Sequence, residues 1–363
     1  MRKANLYKIL FLVFFWVVAA VFVVLYDSAI LKVDVPQYGG EPIMVDIVGN
    51  LFIVVITTFV AGTAIAACEV FYLNRLLRKW SLGSALLLKT GFYVANICFF
   101  VLVALLSITA RRIGESPFHH ASFGILTDYL LSPRFVMTIV FWGLAVLIAL
   151  FILQVSEKFG QGVLLSFLLG KYRRPKEETR IFMFMDLKSS TTYAEKLGHV
   201  RYSELIQDCF ADLTETVVRH EAQIYQNVGD EVVLTWEMEK GLSNQNCLAT
   251  FFDYDRALRQ KESYYKTKYS VVPEFKAGVN LGEVMVAEVG QLKKELAYHG
   301  DALNTASRIQ EKCNEFKKKL LISERVRDEL NGESQYEFQL VGNIPLKGKE
   351  QLVNVYDAVA VGS

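Results

Sequence analysis

Two aspartates stand at the ends of apolar, β-type runs, in a setting suited to phosphate chemistry. Asp186 closes the run from Arg180 to Met185, and Lys188, Ser189, Ser190, Thr191 and Thr192 follow it as a small, hydroxyl-rich loop that opens a helix. Free N–H groups at a helix start bind phosphate well. Asp230 sits beside Gly229 between the runs Gln223–Val228 and Glu231–Trp236, a tight-hairpin signal. If that hairpin pairs beside the first strand, two carboxylates converge next to the phosphate-binding loop and form a natural two-magnesium site. Turn-forming and N-capping aspartates would satisfy the same spacing, so spacing alone leaves both readings open.

The elements that must hold these residues read as an α/β domain. Thr191 to His220 is a long amphipathic helix with Leu205, Ile206, Phe210 and Leu213 at helical spacing. A second helical stretch runs from Cys247 to about Lys266. Phe275–Asn280 and Val284–Val289 read as a hairpin turning through Leu281, Gly282 and Glu283. Asp301 caps a helix to Cys313, and Leu320–Ser323 and Tyr336–Val341 add strands. Strands interleaved with packing helices predict a ferredoxin-like α/β sandwich.

Several ordered motifs in this half resemble those of class III nucleotidyl cyclases. They are Phe184-Met185-Asp186-Leu187 with Thr191, then Asn227-Val228-Gly229-Asp230-Glu231, then Gly300-Asp301-Ala302-Leu303-Asn304-Thr305-Ala306-Ser307-Arg308. The resemblance covers roughly Glu178 to Ala360. It implies that the 3′-hydroxyl of a nucleoside triphosphate attacks its own α-phosphorus and expels pyrophosphate. It further implies that Asp186, Asp230 and the Leu187 carbonyl hold two Mg2+ (or Mn2+) ions, which lower the hydroxyl's pKa and neutralise the leaving phosphates. Ser189, Ser190 and Thr191 would line the phosphates.

By the same resemblance Asn304 orients the ribose and Arg308 stabilises charge on the transferring phosphorus, a task for a planar permanent cation. Their spacing of four places them on one helix face. Lys347 matches the family lysine that grips the terminal phosphates. Family sites form between two catalytic domains, and this chain carries each residue set once, so the resemblance implies a homodimer with two equivalent sites.

The base-reading positions depart from the family pattern. Adenine-specific members typically carry Lys four residues before the second metal aspartate, where this chain has Gln226, and Asp or Thr seven before the Asn, where it has Ala297. Guanine-specific members usually show Glu and a small Cys-like residue there. Gln presents donor or acceptor and Ala presents neither. The missing carboxylate at Gln226 favours ATP and adenylate cyclase activity; guanylate or relaxed specificity, or a non-catalytic nucleotide-binding receptor module, is the alternative.

The first half is of another kind. The 363 residues are 52% hydrophobic and only 21% charged, with a net charge of +1, which supplies no basic field for nucleic acid. Five scattered cysteines without a CxxC give neither a disulfide framework nor a zinc site. The apolar excess lies in Ile9–Tyr26, Ile47–Cys68, Thr90–Ala110 and Phe135–Ser156, each long enough to cross a bilayer as a helix. Arg2, Lys3, Lys8, Arg75, Arg78, Lys79, Lys158, Lys171, Arg173, Arg174 and Lys176 predict, by the positive-inside rule, that both termini face the cytoplasm. Glu69 and Lys89 fall near span ends where they could snorkel, and Asn96 reads as interhelical glue. His119 and His120 read as a solvated pair in an outer loop.

Three regions are therefore expected. Residues 1–156 form a four-helix transmembrane anchor or sensor, 157–177 a connector, and 178–363 a cytosolic nucleotidyl cyclase domain. The apolar run from Val163 to Leu169 is too short to span and reads as an interfacial or dimer-contact helix.

Overall fold

The computed structural model describes residues 2–33, 47–73, 76–77, 80–114, 116, 119–159, 166, 169–292, 294–330, 335–345 and 352–361. The chain divides into two compact units at Lys158/Phe159. Most of the connector's apolar run and Lys347 fall outside the described residues.

In the first unit, α1 (Arg2–Val33), α2 (Ile47–Cys68), α3 (Leu82–Ile113), α4 (His120–Leu130) and α5 (Pro133–Phe159) follow in order. Four of them are long and apolar enough to cross a membrane, over Lys8–Leu25, Leu51–Leu73, Gly83–Ser107 and Phe135–Ser156. The packing is inverted relative to a water-soluble bundle. Phe14, Phe52, Phe99 and Phe151 point outward, while Trp16 lies 6.0 Å from both Tyr93 and Trp142, joining three helices. Outward phenylalanines in such number make a broad apolar surface over the four candidate spans. Buried Ala20, Ala61 and Ala66 leave room for close backbones, the usual device where lipid removes any hydrophobic drive between helices.

Three expectations for this unit change. Glu69 and Lys89 do not snorkel: Lys89 Nζ donates to Glu69 Oε1 at 2.6 Å, and both side chains are buried. Helix α2 ends there in a π-turn, Glu69–Leu73. Pairing wins because each charge finds a partner inside the bundle. Asn96 donates to the Phe92 carbonyl at 2.8 Å, within its own helix, rather than to another helix among the described residues. His120 begins α4 rather than lying in an unstructured loop, and both histidines are exposed. Lys89→Met removes the buried ammonium bonded to Glu69 Oε1 and should cost about 3–5 kcal/mol. The double change Glu69→Gln/Lys89→Met should cost clearly less. Unfolding of the purified chain in mixed detergent, compared across both variants, reads the difference.

The second unit is a mixed sheet with helices on both faces. Its strands are β1 (Lys176–Leu187), β2 (Gln223–Val228), β3 (Glu231–Glu237), β4 (Phe275–Val289), β5 (Glu295–His299), β6 (Leu320–Ser323), β7 (Tyr336–Pro345) and β8 (Leu352–Ala360). Their order is β2-β3-β1-β4-β6-β8-β7, with β5 paired to β4. Only β4 and β6 run parallel. The middle of β1, Ile181–Met185, is apolar without a break because both of its faces are covered. Ile181, Met183, Met185 and Leu187 face a core with α6 (Ser190–Arg219), α7 (Asn246–Gln260) and α8 (Glu262–Tyr269); Phe182 and Phe184 face a second core with α9 (Asp301–Glu311).

Local punctuation differs from the expectation at four places. β1 already begins at Lys176, so Glu177 and Glu178 lie within it. Gly198, at φ +70°, kinks α6. The stretch from Cys247 breaks at Lys261 into two helices. The expected Phe275–Val289 hairpin is one unbroken strand, and Gly282 is no turn but pairs with Arg180 in mid-strand.

That glycine serves helix packing. A Cβ on Gly282 would fall 2.7 Å from Ala302 Cβ, and one on Gly278 would fall 2.2 Å from the Gln310 backbone nitrogen. Gly278 and Gly282 share a face of β4, and Ala302, Ala306 and Gln310 recur at spacing four on α9, so bare backbone meets one stripe of the helix. Gly278→Ala must push α9 outward and should lower stability by about 1–3 kcal/mol. Thermal melting of the variant and a matched loss of activity would check it.

Candidate active site

Asp186 occupies the penultimate position of β1, opposite Glu231 of β3 and Lys276 of β4. The turn between β2 and β3 contains only Gly229 and Asp230, with Gly229 at φ +63°, where a side chain would be strained. This tight turn brings Asp230 next to Asp186. Burial, and then the neighbouring Asp230 charge, hold the Asp186 carboxyl above its usual range, although Lys276 pulls the other way. Lys276 Nζ lies 3.3 Å from Asp186 Oδ2, and Gln310 Nε2 donates to the same oxygen at 3.3 Å. Glu231 is also raised, by burial and then by Asp186 and Asp230.

One lysine thus faces three crowded carboxylates. A cluster with excess negative charge, in which ionisation is disfavoured, fits a divalent cation. Among the described residues no group of three or more His, Cys, Asp or Glu side chains is arranged around a common ion position, so Asp186 and Asp230 would need backbone or substrate oxygens to complete the shell.

The loop after β1 leads straight into α6. Ser189 is left-handed at φ 60° and caps nothing with its side chain, Ser190 is the first helical residue, and Thr191 is exposed. No acidic residue occupies the first turn to compete for its N–H groups. Tyr202 reaches back to this corner: burial, then the Asp230 charge, raise its pKa, against a hydrogen bond with Ser190.

Asn304 and Arg308 lie on a different side of α9 from Gln310. Gln310 points at Asp186 from α9, and Arg308, two residues earlier, stands about 200° around the helix from it. Asn304 is exposed; Arg308 is half-buried, with Nη1 buried and without a partner among the described residues. Asp301, expected to cap the helix, is instead its first helical residue, with Gly300 preceding it. Gln226 is exposed on β2, and Ala297 is half-buried on β5. One chain therefore brings Asp186, Asp230 and the Ser189–Thr191 loop together, and turns Asn304 and Arg308 to a side of α9 other than the one that meets Asp186.

Sequence reasoning missed Lys276 and Gln310. Lys276 carries a signal, since it is the one charge in the run Phe275–Asn280 and needs a partner when buried. Which partner it takes depends on the β1–β4 register, which no local pattern encodes. Gln310 shares the sheet-facing stripe of α9 with Ala302 and Ala306 and reads as an ordinary polar residue until that helix is docked.

A family model described as "Adenylate and Guanylate cyclase catalytic domain" matches residues 172–356, and the chain belongs to that family. "Adenylate cyclase 2" of Rhizobium meliloti (strain 1021) is 31% identical over 211 residues, 58% of this chain and 58% of that protein. "Adenylate cyclase 1" of the same organism is 25% identical over 185 residues, 49% of this chain and 27% of that protein. The chain thus spans little more than half of one of these relatives and about a quarter of the other. A solved structure of a bacterial light-regulated adenylyl cyclase superposes with a TM-score of 0.54 at 19% identity, covering 63% of this chain and 67% of that one, a likeness of fold.

Proposed function

We propose that the chain is a membrane-anchored adenylate cyclase that converts ATP to cyclic AMP and pyrophosphate at sites shared between two copies. The observation that carries this is the meeting of Asp186 and Asp230, in a chain of the cyclase family, with Asn304 and Arg308 held on a separate face. The expected four-span region, connector and cytosolic catalytic domain (1–156, 157–177 and 178–363) fit the four apolar helices and the compact unit from Phe159.

Two Mg2+ or Mn2+ ions held by Asp186, Asp230 and the Leu187 carbonyl would lower the pKa of the ribose 3′-hydroxyl and screen the leaving pyrophosphate. The N–H groups at the start of α6 receive phosphate oxygens, with Ser189, Ser190 and Thr191 beside them. From the second copy, Asn304 orients the ribose, and Arg308 sets its guanidinium against charge building on the α-phosphoryl group. Lys347 grips the terminal phosphates. ATP is favoured over GTP because Gln226 lacks the carboxylate of a guanine reader and because relatives named adenylate cyclases share this region.

The test is turnover by the detergent-purified full chain with ATP and GTP offered separately, and products weighed by mass spectrometry. Cyclic AMP as the main product supports the reading. Cyclic GMP in excess assigns the alternative base, and triphosphate binding with no cyclic product from either defeats the enzymatic reading.

A further inference from the structure

The two positions assigned to base reading belong to strands that the sheet holds apart. β2 is an outer strand, separated from β4 by β3 and β1, and β5 pairs with β4. Gln226 is opposite Val233 and therefore level with Phe184 of β1. Ala297 is opposite Ala287, just beyond the level of Lys176. From Phe184 to Lys176 is about 26 Å along a flat strand.

Residues adjoining those two positions nevertheless touch. The Tyr298 ring, next to Ala297, meets that of Tyr225, next to Gln226, edge-on at 4.8 Å, and meets Phe182 at 5.4 Å. The outer half of β4 and its partner β5 therefore curl back over the face of β1. Tyr298 pins this curl. It is 6% exposed, its hydroxyl accepts from Arg180 Nη1 at 3.0 Å, and the guanidinium lies 5.0 Å from its ring centroid.

Arg180 is itself 1% exposed. Its Nε donates to Glu178 Oε2 at 3.1 Å, Nη1 and Nη2 donate to Gln223 Oε1 at 3.2 and 3.3 Å, and Nη1 reaches Thr235 Oγ1 at 3.5 Å. One guanidinium thus grips β2 three residues before Gln226 and β5 next to Ala297. A buried guanidinium is a poor source of stability, since an apolar side chain of similar volume fills such a site at less desolvation cost. A planar fork of fixed donors is, however, a good device for setting the distance between two strands.

That distance matters because the side chains at the two positions do not choose a base by themselves. The Gln226 amide can turn its carbonyl toward the amino group of adenine or its NH2 toward the carbonyl of guanine, and Ala297 adds no polar group. Discrimination then depends on which backbone and side-chain groups are held at hydrogen-bonding distance.

We infer that Arg180, acting through Tyr298, is a positioning residue that sets the spacing of Gln226 and Ala297 and thereby the nucleobase preference. The inference rests on the cyclase reading of those two positions. It is tested by kcat/KM for ATP and for GTP in the full-length wild type and in Tyr298→Phe, which keeps the ring and deletes the hydroxyl. Arg180→Lys, which keeps the charge and loses the fork, is measured alongside. The ATP-to-GTP ratio should move toward unity by about fivefold or more in both, the scale of one net hydrogen bond. The change should fall mainly in KM, with the Mn2+ dependence unaltered. Thr235→Val also removes an Arg180 contact, but on a strand with no base-reading position, and should leave the ratio within about twofold. A wild type that cyclises neither nucleotide defeats the cyclase reading and this inference with it. A wild type that cyclises both equally, or an active and selective one whose ratio Tyr298→Phe and Arg180→Lys leave unchanged, overturns the inference alone.

Discussion

Asp186→Ala should lower cyclic nucleotide formation by about 10³-fold or more, with Mg2+ or Mn2+ alike. The carboxylate is central to the acidic cluster, with Asp230 beside it and Lys276 and Gln310 bonded to one of its oxygens. The milder change Asp186→Asn carries a second, opposite expectation. Because burial and Asp230 hold Asp186 above its usual range, the folded protein binds that proton more tightly than the unfolded chain does. Stability contributed by this group therefore falls as pH rises through the ordinary carboxylate value toward the raised one, and the deficit persists at neutral pH. Asp186→Asn removes the charge, so in metal-free buffer at pH 7 the variant should melt above the wild type. Mn2+ should stabilise the wild type and leave the variant unmoved, because an ion that binds only the folded state adds stability by mass action. A variant that melts lower without metal would mean that the Lys276 and Gln310 contacts outweigh the crowding.

Arg308→Ala should lower kcat by about 10²–10³-fold with little change in KM for ATP. The guanidinium is half-buried and carries a buried Nη1 that has no partner among the described residues. On the proposed reading, this unused donor would be satisfied by an anion that arrives with substrate. Arg308→Lys should recover little, because a single ammonium cannot reproduce the planar fork. Steady-state kinetics of both variants decide the matter; a raised KM at unchanged kcat would reduce Arg308 to a substrate-binding group.

The β1–Asp186 segment and the Gly229–Asp230 turn were legible because each is local: an apolar run with an abrupt acidic end, and a two-residue hairpin whose glycine takes φ +63°. The four apolar helices were legible for the same reason, since span length is written in consecutive residues. What escaped was set by tertiary contact. Gly282 reads as a turn residue, yet its role is to admit Ala302 against a strand that runs straight through. Glu69 and Lys89 are twenty residues apart on different helices, and only the bundle shows that they neutralise each other. Lys276 and Arg180 look like surface charges in a strand until strand register supplies Asp186 for one and Tyr298 for the other.

The account turns on a site divided between two copies, and coexpression of two inactive full-length variants tests it most directly. Asp186→Ala retains an intact Asn304/Arg308 face, and Arg308→Ala retains the Asp186 and Asp230 carboxylates. Each alone should be inactive. Random pairing in equal amounts makes half of the dimers mixed, each with one intact site of two, so activity should return to about a quarter of wild type. A mixture as inactive as its two parents, with mixed dimers demonstrated by differential tagging, would contradict the shared site.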